Sequence, residues 1–297
     1  MRNNMDVDLD SSLMPGLGLR PEHYPFLREK PPISAKWFEA ISENYMDSYG
    51  QPREMLHFIR RDFPVALHGV SMSLLSAEGI RPGYLKTLKN LVDEIEPFII
   101  SDHLCWTGTH ASNIHDLLPF PFTQEAFSIA CANIDKVQNF LGRAFLIENV
   151  STYLSFENNA WSEWEFIVQL AEHSGAQILL DINNIYVNSC NHNFSPEVYI
   201  DYIPSSLVAE VHLAGFSDMG DYLFDTHSNP VWPDVWKLFA RFMKKNPKIP
   251  FMIEWDEDIP KYQELEWELS KGIDICRQFI PHNEAKEKEE KCRIKSK

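Results

Sequence analysis

The sequence predicts an α/β protein built as one closed (β/α)8 TIM barrel, and three observations lead there. Eight short apolar runs bounded by turn residues recur along the chain, and helical patterns lie between many of them. No glycine-rich phosphate loop marks an open nucleotide-binding sheet. A chain of 297 residues, 44% of them hydrophobic, can bury such a core, since β/α barrels take roughly 250 residues.

In chain order, the first strand is expected at Gly16–Arg20 and the second at Trp37–Tyr45. Pro64–Val70 and Phe98–Trp106 supply the third and fourth, with the periodic segment Pro82–Glu96 between them. The clearest helix is Thr123–Leu141, where Phe127, Ala130, Ile134, Val137 and Leu141 recur at three- and four-residue spacing and Gly142 supplies a stop. Ala144–Val150 is the fifth strand. Ser162 and Glu165 then match a capping box that opens a helix ending at Gly175. Ile178–Ile185, Val208–Gly215 and Phe251–Asp256 complete the strands, with the periodic segment Trp232–Lys245 before the last. Residues 16–281 are read as a single barrel domain, 1–15 as a flexible N-terminal segment, and 282–297 as a disordered charged tail.

Charge narrows the function classes. With 27 Lys plus Arg against 43 Asp plus Glu, the net charge is −16, which repels phosphate backbones and anionic lipid. Nucleic-acid and membrane-surface binding are therefore disfavoured, and basic or neutral partners fit better. No apolar stretch is long enough to cross a bilayer, and the N-terminus lacks the apolar region of a signal peptide. The five cysteines include no Cys-x-x-Cys pair, which argues against a disulfide framework or a thiolate zinc site and for a cytoplasmic setting.

The informative residues are those at strand ends. His68 ends the third strand, His103 the fourth, Glu148 the fifth, Asp181 the sixth, His212 the seventh and Glu254 the eighth. In β/α barrels the carboxyl ends of the strands converge on the active site. Asn184 follows Asp181 closely, and Asp225 and His227, in the loop after the seventh strand, would face one way if extended. Three carboxylates buried together, with no basic residue in the same six runs, would be costly or protonated, and metal cations resolve the conflict. His68, His103, Glu148, Asp181, His212, Asp225, His227 and Glu254, with Asn184 as a further candidate, exceed the four to six ligands that one transition metal takes. Two or three ions are expected, and mixed imidazole and carboxylate ligation suits iron, manganese or zinc. Glu210 shares the parity of His212 and is a candidate to orient it. Cys105 is expected to pack.

The motifs Leu-His68-Gly-Val, Ser-Asp-His103-Leu, Asp116-Leu-Leu-Pro, Glu148-Asn-Val-Ser-Thr-Tyr-Leu, Leu-Leu-Asp181-Ile-Asn-Asn-Ile-Tyr-Val, Val-His212-Leu-Ala-Gly, Asp225-Thr-His227 and Ile-Glu254-Trp-Asp appear in this order. Together they resemble the multinuclear non-haem iron-dependent oxidative enzymes, which include the MbnB and TglH types and were formerly a family of uncharacterised proteins. The resemblance implies a xylose-isomerase-like TIM barrel holding two or three iron ions. The same nine residues are implied as ligands, with Glu148, Asp181 and Glu254 in catalytic positions and Glu148 and Glu254 placed to bridge metals. It further implies O2-dependent modification of a ribosomally synthesised precursor peptide, at a Cys whose thiolate binds one iron, and a small separate protein that captures the leader peptide. The chain departs from the family pattern at Ser71, Leu75, Asp102 and Cys105, which touches the pocket's shape rather than the ligands. Two other readings fit the same residues: a zinc- or manganese-dependent hydrolase or isomerase on this barrel, and a non-catalytic metal-binding protein.

Overall fold

The computed structural model describes residues 12–280. Eight parallel strands close into a barrel: β1 (Pro15–Gly18), β2 (Trp37–Ile41), β3 (Val65–Gly69), β4 (Ile99–His103), β5 (Leu146–Glu148), β6 (Gln177–Asp181), β7 (Val208–Leu213) and β8 (Phe251–Ile253). Each strand pairs with its neighbours in sequence, and β8 closes on β1 through Pro15↔Phe251. Helices pack outside, and the apolar residues between them and the strands form the main core.

Alternation along each strand sorts residues between that outer core and the lumen. Trp37, Ala66, Ile99, Leu146, Leu179 and Met252 form a separate buried cluster that fills the bottom of the barrel. Residues of the same parity nearer the carboxyl ends include His68, His103, Glu148, Asp181 and Glu254, and His212 of β7 joins them in the lumen. The register then aligns them: His103 lies beside Glu148 and Asp181 beside His212. An apolar plug thus supports a polar layer.

Glycine keeps two of these strand ends in place. A Cβ on Gly69 would lie 2.1 Å from Asp102 Oδ2, and one on Gly215 would lie 2.1 Å from the carbonyl oxygen of Asn229. Only a residue without a side chain lets the chain pass so closely beside His68 and beyond His212.

The predicted helices form at Gln124–Leu141, Glu163–Ser174, Pro82–Ile95 and Pro233–Met243. Thr123 caps the first by accepting from the Ala126 amide at 3.3 Å, and Ser162 and Glu165 form the expected capping box. Gly142 and Gly175 end their helices in left-handed conformation. All eight strands are shorter than the expected runs, and in two of them a helix takes over the remainder. β2 stops at Ile41 and turns into a short helix, Glu43–Met46, while β6 stops at Asp181, whose side chain caps the helix Ile182–His192. Two small antiparallel hairpins, Trp106–Gly108 with Asn113–Leu118 and Ser217–Asp218 with Leu223–Phe224, rise from the loops after β4 and β7. No helix among the described residues is long and apolar enough to cross a membrane. The expected tail at 282–297 and most of the N-terminal segment lie outside the described residues.

Candidate metal centre

His68 and His103 stand edge to face, their ring centroids 4.5 Å apart. Each points Nε2 at Glu148 Oε2 from 3.3 Å. Their other ring nitrogens are tethered: His103 Nδ1 donates to the Gly69 carbonyl at 3.0 Å, and His68 Nδ1 shares a hydrogen bond with Ser101 Oγ at 2.8 Å. In His103 that bond fixes the tautomer, leaving the Nε2 lone pair free to ligate. Burial lowers both imidazoles, His103 to about 4 and His68 well below its usual value, so both rings are neutral at physiological pH.

A second group shares Glu148. Ligand atoms of Glu148, Asp181, His212 and Glu254 all lie within 4.8 Å of one another. His212 Nδ1 is 3.0 Å from Glu254 Oε2, while its Nε2 lies 3.2 Å from Glu39 Oε2 and 3.4 Å from Glu210 Oε1. Asp181 divides its oxygens. Oδ1 accepts from the Asn184 amide at 2.6 Å to start the helix, and Oδ2 is buried without a hydrogen bond.

A third group lies nearer solvent, where His227 Nδ1 is 3.4 Å from Glu254 Oε2 and 3.0 Å from Asp256 Oδ2. His227 Nε2 is 2.8 Å from Asp225 Oδ1, which also accepts from Asn183 Nδ2 at 2.7 Å. The expected extended geometry is not what brings this pair together, because His227 adopts φ +48° and turns its ring back toward Asp225. A cavity of about 440 Å³ opens over these groups, with His68, His103, Asn184, Asp225, His227 and Glu254 in its wall.

Electrostatically this is an unfinished site. His68 Nε2, Glu148 Oε2, Asp181 Oδ2 and Asn184 Oδ1 are buried without hydrogen-bond partners. Burial raises Glu148 well above the usual carboxylate range and Asp181 to about 7. Burial and Asp256 also oppose charge on Glu254, but the facing His212 and His227 overcome them and leave it low. At His68, Glu148, Asp181 and Asn184, lone pairs converge without donors, which is the complement of cations, so the donor set fits metal ions.

Residues 14–277 match the family model described as the RiPP precursor modification enzyme MbnB/TglH/ChrH. The chain belongs to that family. A UPF0276 protein of Rhizorhabdus wittichii is 48% identical over 262 residues, covering 88% of this chain and 94% of the relative. One from Acaryochloris marina is 42% identical, covering 90% and 96%. Among solved structures, D-psicose 3-epimerase from Clostridium cellulolyticum superposes with TM-score 0.60 at 10% identity, covering 91% of this chain and 100% of the other. Endonuclease IV from Thermus thermophilus gives 0.56 at 14%, covering 89% and 99%. At such identities the likeness is one of fold, the xylose-isomerase-like TIM barrel.

Within this MbnB/TglH/ChrH member, all nine residues singled out from sequence border the same end of the barrel. Three further residues were not anticipated there. Glu39 reaches His212 from β2, and its parity with Trp37 was a readable sign of an inward side chain. Asp256 joins His227 and Glu254 at the rim. Arg20, beyond β1, is a buried cation: it pairs with Asp256 Oδ1, donates Nε to the Trp255 carbonyl at 3.1 Å and comes within 4.0 Å of Glu254. Cys105 is fully buried, outside the cavity wall, and burial pushes its thiol well up, as packing predicts.

Proposed function

We propose that the chain is a multinuclear non-haem iron enzyme that uses O2 to oxidise a residue, a Cys, of a ribosomally synthesised precursor peptide. The observation that carries this reading is the sharing of ligands: Glu148 belongs to two groups of converging donors and Glu254 to two. One ion would be held by His68, His103 and Glu148, a second by Glu148, Asp181, His212 and Glu254, with Asn184 beside them. A third would be held by His227 and Glu254 with Asp225 or Asp256. Iron held there supplies redox chemistry and open positions for a thiolate and O2.

The chain's own residues do the rest. The apolar plug and helix-bound strands hold the donors at fixed spacing, and the carbonyl of Gly69 and the carboxylates of Glu39 and Glu210 hold the imidazoles in orientation. The cavity admits a peptide side chain from the carboxyl face. Leader-peptide capture is assigned to a small separate partner protein. A cytoplasmic setting fits the free state of Cys105, Cys131, Cys190 and Cys276.

The test is metal analysis of protein purified without chelator, followed by aerobic incubation with a candidate Cys-containing precursor and its partner. Two or more equivalents of iron with O2 uptake and a peptide mass change are expected. Zinc or manganese alone would favour a hydrolase or isomerase, and a saturated cluster unmoved by thiol would favour a non-catalytic metal protein.

A further inference from the structure

Beyond the ligands, the loops at the carboxyl ends of the strands carry a charge imbalance that metal binding does not explain. Segments 104–123, 149–162 and 214–232, after β4, β5 and β7, contain not one Lys or Arg, yet include Asp116, Glu157, Asp218 and Asp221, while the loops after β3 and β8 each end on one cation, Arg81 and Lys261. The side of the barrel mouth formed by these three loops therefore presents a single sign of charge to whatever enters.

Exposed aromatic rings stand on these same loops. Tyr153, after β5, and Tyr222 and Phe224, on the hairpin after β7, are 42%, 45% and 42% exposed. They nonetheless gather: Tyr153 lies 5.4 Å from Phe224 and 6.1 Å from Tyr222 between ring centroids, and Tyr222 lies 6.3 Å from Phe224. The group is anchored. The Asn191 side chain donates to the Leu223 carbonyl at 3.0 Å and accepts from the Leu223 amide at 2.9 Å, pinning the hairpin to the helix Ile182–His192. Tyr153 Oη accepts from the Asp225 amide at 3.0 Å, which ties the aromatic group to the edge of the metal cavity.

Clustered, exposed aromatic rings on a fixed support mark a binding surface, and rings flanked by carboxylates favour cations through both charge and cation–π attraction. We propose that Tyr153, Tyr222 and Phe224, with Asp218 and Asp221, form a docking platform for a cationic segment of the peptide substrate, beside the residue that enters the cavity. This rests on the peptide-modifying reading above. Charge complementarity selects the occupant: an acidic peptide would meet carboxylates with no cation in either loop that carries the platform.

The experiment is fluorescence anisotropy with a labelled synthetic peptide of lysine and glycine carrying one central phenylalanine and no cysteine, compared with its glutamate-for-lysine counterpart. The iron-loaded protein should bind the lysine probe at least about tenfold more tightly than the glutamate probe, and less tightly at high salt. Tyr222→Ser with Phe224→Ser should weaken lysine-probe binding about tenfold, and Asp218→Asn with Asp221→Asn should weaken it and reduce the salt dependence. These side chains are exposed, so circular dichroism and metal content should match the unaltered protein. Equal binding of the two probes, binding of neither, or unchanged binding by the Tyr222 and Phe224 variant would overturn the platform. So would a dimer abolished by that variant, which would make a second copy the occupant. Because the probe requires no turnover, failure of peptide oxidation leaves this test intact. Oxidation without charge-selective binding would sink the platform alone.

Discussion

His212 is clasped between carboxylates on both edges of its ring, with Nε2 3.2 Å from Glu39 Oε2 and Nδ1 3.0 Å from Glu254 Oε2. The arrangement assigns different work to the two nitrogens. If Nε2 keeps its proton and donates to Glu39, Nδ1 presents a lone pair toward Glu148, Asp181 and Glu254. Burial raises Glu39 to about 7, with His212 opposing that rise. Glu39→Gln keeps the size of the side chain and removes its charge. It should weaken metal binding at the His212 group by roughly 10–100-fold while leaving the His68 and His103 group filled. Competition titration against a chelator measures this, and an unchanged titration would mean that Glu39 has no part in orienting His212.

Glu148 is the more severe test, because both deep groups use it. Glu148→Ala should lower metal content by more than one equivalent and depress peptide oxidation by at least ~100-fold, whereas Asp225→Ala should affect only the outermost ion. Metal analysis of the two variants separates the outcomes. Equal losses would argue against Glu148 as the shared ligand.

Much of this site was legible because inward parity and strand ends are local properties. His68, His103, Glu148, Asp181, His212 and Glu254 each follow an apolar run, so the barrel's geometry alone predicts their convergence. Glu39 was harder to see, since it lies in the middle of Trp37–Ile41 rather than at its end, and only the ring closure brings β2 opposite β7. Asp181 shows another limit: a strand and a helix meet there without a loop, and apolar Ile182 and Ile185 read equally well as either. The turn at His227 depends on a positive φ that sequence spacing cannot express.

Arg20 supplies the cation that the strand-end motifs lack. It pairs with Asp256 and donates to the Trp255 carbonyl, so removing it leaves a partly exposed carboxylate unpaired beside Glu254 and a backbone carbonyl without its donor. Arg20→Met should lower stability by about 1–3 kcal/mol, and Arg20→Lys should recover only part of it because one ammonium cannot serve both partners in a fork geometry. Urea unfolding of the metal-free proteins reads this directly. A midpoint equal to that of the unaltered chain would show that Arg20 is not structural.

Glu163 lies away from the metal ligands, where it accepts from Tyr199 Oη at 3.0 Å and from Asn188 Nδ2 at 3.1 Å. Burial pushes its carboxyl up from 4.5 to about 7, and those two hydrogen bonds offset only part of the rise. The folded state therefore holds this proton more tightly than the unfolded chain does. The stabilisation is complete below about pH 4.5, declines as pH rises, and is lost above about pH 7. Glu163→Gln removes the titration and retains an oxygen for Tyr199. Relative to the unaltered protein, the variant should gain roughly 1–3 kcal/mol between about pH 5 and pH 8, because only the carboxyl incurs the cost of ionising in place. Chemical unfolding at the two pH values measures the difference, and parallel stability profiles would show that Glu163 ionises in the fold as easily as it does in water.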